Sequence, residues 1–171
     1  MNRKHRGWFD FRLSSVFDFT YMFFFMKKEY EDAIAKFSRC IELKPKYFEA
    51  YNDRGSCYRM MQKFDQALLD YSKAGEYGPT NAFIFNNIGS VKKLLKDYEG
   101  AKNAFTKAMS LDANFYLAYN NRGAMLLEQN KLAEALKDFD KAISLNKEYS
   151  PAYNNRGIVK HKNEDYKGAI T

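Results

Sequence analysis

The sequence predicts an all-α solenoid made of antiparallel helix pairs that recur every 34 residues. The first observation is a set of four aligned tetrapeptides: Asn52-Asp53-Arg54-Gly55, Asn86-Asn87-Ile88-Gly89, Asn120-Asn121-Arg122-Gly123 and Asn154-Asn155-Arg156-Gly157. Their glycines are 34 residues apart each time, with no insertion. The second is the set of residues at fixed distances past each glycine. Ala67, Ala101, Ala135 and Ala169 stand twelve residues on, Tyr71, Phe105 and Phe139 four beyond these, and Ala74, Ala108 and Ala142 three further. The third is scarcity of turn residues: nine glycines and three prolines in 171 residues leave little room for a turn-rich β sandwich.

Along the chain, residues 1–23 form an atypical aromatic segment and 24–47 the end of a degenerate repeat. Full repeats occupy 48–81, 82–115 and 116–149, and a truncated one 150–171. In the degenerate unit Tyr30, Ala33, Phe37, Cys40 and Pro45 take the second-helix positions, predicting one helix over about Ser14–Lys27 and another over Glu29–Leu43. Tyr21 holds the glycine position there. Phe17 and Phe24 fit their slots, but Phe19, Phe23 and Phe25 leave little polar face, and a helix apolar all round is normally buried on more than one side. A divergent cap, a docking surface and unrelated joined sequence all remain open for it.

Each full unit is an A helix (about Tyr47–Met61 in the first) and a B helix (about Phe64–Glu76). Gly55 and Ala67 face each other so that the two backbones approach closely, and Tyr51, Tyr58, Phe64 and Tyr71 fill the space around that contact. Leu111 and Leu145, near B-helix ends, pack onto the next unit. A buried large side chain contributes about 1.5–3 kcal/mol, and stacking buries the faces that one pair cannot. The fourth unit runs through Tyr166 and Ala169 to Thr171, partway through its B helix, which predicts a fragment of a longer array.

This spacing resembles the tetratricopeptide repeat, W-x2-L-G-x2-Y, then A-x3-F, then P, over 34 residues. Tyr51, Phe85, Tyr119 and Tyr153 replace the Trp, Arg usually replaces the Leu, and the late proline survives at Pro45 and Pro79, with Ala113 and Lys147 at its other positions. The resemblance implies a right-handed superhelix whose A helices line a concave, peptide-binding face. The inward positions it implies are the fifth, sixth and ninth of each unit: Asn52, Asp53 and Ser56; Asn86, Asn87 and Ser90; Asn120, Asn121 and Ala124; Asn154, Asn155 and Ile158. The second positions are Glu49, Phe83, Leu117 and Pro151.

Paired asparagines are disfavoured inside a helix, yet seven of the eight fifth and sixth positions are Asn. Inheritance by duplication, hydrogen bonding between neighbouring A helices and recognition of a peptide backbone all account for them. A carboxamide both donates and accepts, so Asn87, Asn121 and Asn155 would form a ladder similar to the asparagine ladder of O-GlcNAc transferase repeats, interrupted by Asp53. The family's clamp for a chaperone C-terminal carboxylate needs basic residues at the second and sixth positions, and these slots lack them. Phe83 and Leu117 suggest apolar anchors. Arg59, Lys93, His161 and Lys162 lie toward the far end of the same face, where they would favour an acidic ligand.

Net charge is +7; Arg3, Lys4 and Arg6 supply three of it, and the remainder is nearly balanced, so no nucleic-acid partner is expected. Cys40 and Cys57 are too few for a disulfide framework or a zinc site and read as buried reduced thiols in a cytoplasmic protein. Asp18 interrupts the apolar stretch Val16–Met26, so no stable membrane insertion is expected. His5 and His161 are the only histidines and no phosphate loop is present, so neither catalysis, a metal nor a cofactor is expected. The predicted function is a non-catalytic, co-chaperone-like adaptor or scaffold that binds a protein or peptide in the groove. The alternative is the substrate-recruiting arm of a larger enzyme such as a glycosyltransferase. Self-association through the aromatic N-terminus is a further expectation.

Overall fold

The computed structural model describes the backbone of residues 15–168 and the side chains of 26–163. Among these residues there are eight helices: α1 (Ser15–Leu43), α2 (Phe48–Met60), α3 (Phe64–Tyr77), α4 (Ala82–Leu94), α5 (Tyr98–Leu111), α6 (Tyr116–Glu128), α7 (Leu132–Leu145) and α8 (Ser150–Gly168). They form a solenoid in which α2–α3, α4–α5 and α6–α7 are tightly paired hairpins. No helix among the described residues is long and apolar enough to cross a membrane.

The hairpin turn has one design, repeated three times. Gln62, Lys96 and Asn130 take φ of 59°, 64° and 59°. Each donates its N–H three residues back (to Arg59, Lys93 and Leu127), while the next residue donates five back (to Tyr58, Lys92 and Leu126). This is a Schellman closure with a left-handed residue just past the helix. A side chain there costs about 1–2 kcal/mol, which the packing of the hairpin offsets. In the second hairpin Asp97 also caps α5, its carboxylate accepting from the Gly100 N–H at 2.9 Å and from Lys92 Nζ at 2.7 Å. The Lys92 hydrogen bond, then that of Gly100, holds the carboxyl below its ordinary range.

Glycine sets the helix separation. A Cβ on Gly55 would lie 3.0 Å from the Tyr71 ring, on Gly89 2.7 Å from Phe105, and on Gly123 2.8 Å from Phe139. These three rings are wholly buried, as are Ala67, Ala74, Ala101, Ala108, Ala135 and Ala142 on the same B-helix faces. A continuous core runs from Ala82 to Val159, with Leu111 packed against it.

Arginines clip neighbouring helices together. Arg54 grips Asp70 with two hydrogen bonds of 2.7 and 2.8 Å and reaches Ser38 on α1 at 3.0 Å. Arg122 grips Asp138 through two of 2.7 Å, and Arg156 reaches Asp140 on α7 at 3.0 Å. The aspartate hydrogen bonds raise both Arg54 and Arg122 above their ordinary pKa. In the second hairpin both partners are replaced, by Ile88 and buried Ala104.

Three expectations are corrected. The N-terminal unit is not a hairpin: α1 continues without a break through Ser15–Leu43. No glycine or proline interrupts it. The readings placed on Phe17–Phe25 concern side chains outside the described residues. Similarly α8 runs on to Gly168 without a turn before the expected B helix; the Tyr166 side chain and Ala169 lie outside the described residues. Finally, Cys40 and Cys57 are free but half-buried. Val91, Met125 and Val159, at successive periods from Cys57, are sealed, whereas Cys57 is not. Burial still pushes the Cys57 thiol pKa up.

The glycine contacts and the clips can be tested by substitution. Gly89→Ala is expected to cost about 1–3 kcal/mol through overpacking, whereas Gly157→Ala, with no described atom within 4 Å, gains up to about 1 kcal/mol of helix stability. Urea denaturation of both variants checks this, and equal effects would contradict it. Arg122→Ile alone, stranding the buried Asp138 carboxylate, is expected to cost about 2–3 kcal/mol. Adding Asp138→Ala recovers most of that loss by copying the second hairpin's Ile–Ala solution, measurable in the same titrations.

Candidate peptide-binding surface

The A helices form the inner wall. Helix α4 touches α6 and α6 touches α8, while successive B helices make no comparable contact among the described residues. From α4 to α8 the array is therefore tighter along its A helices, and a stack tighter on one side curves toward it.

Asparagines link that wall. Asn87 Nδ2 donates to Asn52 Oδ1 at 3.0 Å, Asn121 Nδ2 to Asn86 Oδ1 at 2.9 Å, and Asn155 Nδ2 to Asn120 Oδ1 at 3.0 Å. Each sixth-position amide thus grips the fifth-position oxygen of the preceding unit. Asp53, the exception in the pattern, accepts from Asn52 Nδ2 at 3.0 Å and so turns the Asn52 oxygen toward Asn87.

Burial separates the two columns. Asn86 and Asn120 are only 7 % and 5 % exposed, held between neighbouring A helices, and Asn52 is half-buried. Asn87, Asn121 and Asn155 are half-buried, and Asp53 and Asn154 are exposed. The outer column keeps bonding capacity. Asn87 and Asn155 each use one N–H on the ladder, and their oxygens have no partner among the described residues. The Asn121 oxygen receives only a long 3.5 Å bond from Asn120.

The remaining predicted residues divide. Phe83 is 57 % exposed and meets the buried Phe115 ring edge-on, with centroids 4.5 Å apart, so its own face stays open on the wall. Leu117 is half-buried and packs against the central core. Lys93 is paired with Glu128 of the next A helix at 3.0 Å. Arg59 is half-buried, and His161 and Lys162 are exposed. Ser56 and Ser90 turn their hydroxyls back to the carbonyls of Asn52 and Asn86, and Ser56 also shares a 3.0 Å bond with the Tyr71 hydroxyl. The arginine–aspartate clips are the polar feature that sequence reasoning missed, although Arg54–Asp70 and Arg122–Asp138 share a 16-residue spacing. No cluster of three or more His, Cys, Asp or Glu able to hold a metal exists among the described residues.

Tetratricopeptide-repeat family models match residues 36–68, 84–115 and 116–149. No curated protein sequence matches significantly. Among solved structures, the chain is similar to the first such domain of Spaghetti (RPAP3) bound to the HSP90 peptide SRMEEVD, at 26 % identity over 67 % of this chain and 91 % of that one, with a TM-score of 0.64. It is also similar to YrrB, described as having an unusual peptide-binding site, at 26 % identity over 80 % and 71 % of the two chains, TM-score 0.63. Similarity to MamA, at 19 % identity over 84 % of each chain and a TM-score of 0.72, is one of fold alone. With three hairpins in a shared 34-residue phase and family matches over more than half its length, the chain belongs to the tetratricopeptide-repeat proteins.

Proposed function

We propose that this chain is a non-catalytic protein-interaction module that holds an extended peptide along its A-helix wall. The observation that carries the reading is the column of half-used amides at Asn87, Asn121 and Asn155. One amide per A helix, at the usual interhelical spacing of about 8–10 Å, meets every third residue of an extended segment rising about 3.3 Å per residue. A spare N–H and a spare oxygen at each step suit a peptide carbonyl and amide, so the wall reads backbone, with Phe83 as an apolar contact beside it. The ladder of O-GlcNAc transferase repeats is similar in residue type. Peptide binding by the Spaghetti domain and YrrB supports a peptide ligand, but the mode differs from a carboxylate clamp, because the second and sixth positions here carry no cation.

The test begins with selection of peptides from a random display library against the chain, and fluorescence anisotropy then measures their binding. Asn87→Ala is expected to weaken the selected peptides about five- to tenfold, or ~1–1.4 kcal/mol, with little change in Tm, because water replaces its bond to half-buried Asn52. Asn121→Ala is instead expected to cost stability, about 1–3 kcal/mol, since it strands the buried Asn86 oxygen. SRMEEVD is expected to bind no better than its scrambled sequence. Failure to select any peptide, or equal binding by Asn87→Ala, would overturn the proposal, and tight SRMEEVD binding would replace it with a clamp.

A further inference from the structure

The two arginine–aspartate clips share a geometry and differ in what surrounds them. A guanidinium carries five N–H donors. Arg54 uses three, two on Asp70 and one, from Nη1, on Ser38 Oγ of α1 at 3.0 Å. Arg122 uses two, both on Asp138, and its Nη1 has no partner among the described residues. Thr106 stands two periods on from Ser38 but is exposed and does not take its place. A cavity of about 330 Å3 opens beside Arg122 instead. It is lined by Lys102 of α5, Arg122 and Leu126 of α6, and Glu134, Lys137 and Asp138 of α7. Leu126 and Asp138 are buried, while Lys102, Glu134 and Lys137 are exposed and in no ion pair among the described residues. At the first clip Ile34 and Leu69 hold the positions of the two lysines. The basic surround belongs to Arg122.

We propose that this cavity is an anion site that takes a carboxylate carried on a short apolar stem. No residue of the asparagine wall contributes to its lining, so it stands apart from the peptide surface. The unused N–H groups of Arg122 donate to the carboxylate, Lys102 and Lys137 pair with it, and Leu126 meets the stem. Bonds between charged donors and acceptors of this kind are about twice as strong as neutral ones. Charge sets the class of ligand. Arg122 and Asp138 cancel, and the two lysines exceed Glu134 by one, so a single negative charge neutralises the cavity. A phosphate dianion would bring surplus charge against Glu134 and Asp138, and like charges at close range repel. The carboxylate comes from an acidic side chain of a partner protein or from a free organic acid.

Nitrogen–proton NMR of the arginine side chains in the 171-residue chain tests this, with sodium glutarate added at constant ionic strength. The Arg122 Nε–H resonance is expected to shift and saturate while that of Arg54 stays in place. Lys102→Ala with Lys137→Ala, both at exposed positions, should weaken binding about tenfold with unchanged helical circular dichroism. Glu134→Gln should strengthen it about two- to fivefold by removing a like charge. Acetyl-Leu-Glu-amide binding more tightly than glutarate assigns the carboxylate to a partner protein, and the reverse order assigns it to a free organic acid. A shift that rises without saturation, equal movement at Arg54, full affinity in the double lysine variant, or tighter binding of phosphate than of glutarate would overturn the proposal.

Discussion

The whole arrangement depends on a missing atom. At Gly89 and Gly123 the A-helix backbone lies against a buried ring with no space for a β-carbon, and at Gly55 it lies almost as close to Tyr71. Any side chain there would separate the helices, open the core and shift the next unit. Because the same lock closes each hairpin at the same phase, every unit passes the same orientation to its neighbour, and the A helices come together along one wall. Stability is then close to a sum of local pairs and their interfaces. The ends of such a stack are its weakest and most adaptable parts.

The asparagine wall is a consequence of that phase. Residues disfavoured inside helices occur here because adjacent A helices are close enough for one amide to reach the next. The inner amides are sealed and structural, while the outer ones are shared between the wall and whatever lies against it. The same residue type thus serves two roles in adjacent columns. The two arginine–aspartate clips act on the other side, drawing A and B helices together, and the second hairpin shows that an apolar pair can replace a clip without loss of the fold.

Much of the fold was legible in the sequence because identical contacts leave identical residues at fixed spacing, glycine opposite a ring and alanine beside it. The left-handed turn was not, since Gln62, Lys96 and Asn130 share no residue type; the backbone there is set by the packing of the hairpin. The continuity of α1 was hidden behind a convincing B-helix pattern at Tyr30, Ala33, Phe37 and Cys40. Within the candidate site, the asparagine columns could be read from spacing, but their division into sealed and open could not, because burial depends on which unit stacks above. Lys93 looked available until Glu128, on a different helix, was placed beside it.

The central claim, a peptide held by the outer amides of the A-helix wall, is tested most directly by a nitrogen–proton NMR titration of the side-chain amides with a selected peptide. The Asn87, Asn121 and Asn155 resonances are expected to shift together while the backbone of α3, α5 and α7 stays in place. Shifts confined to those B helices, with the three amides unmoved, would contradict it.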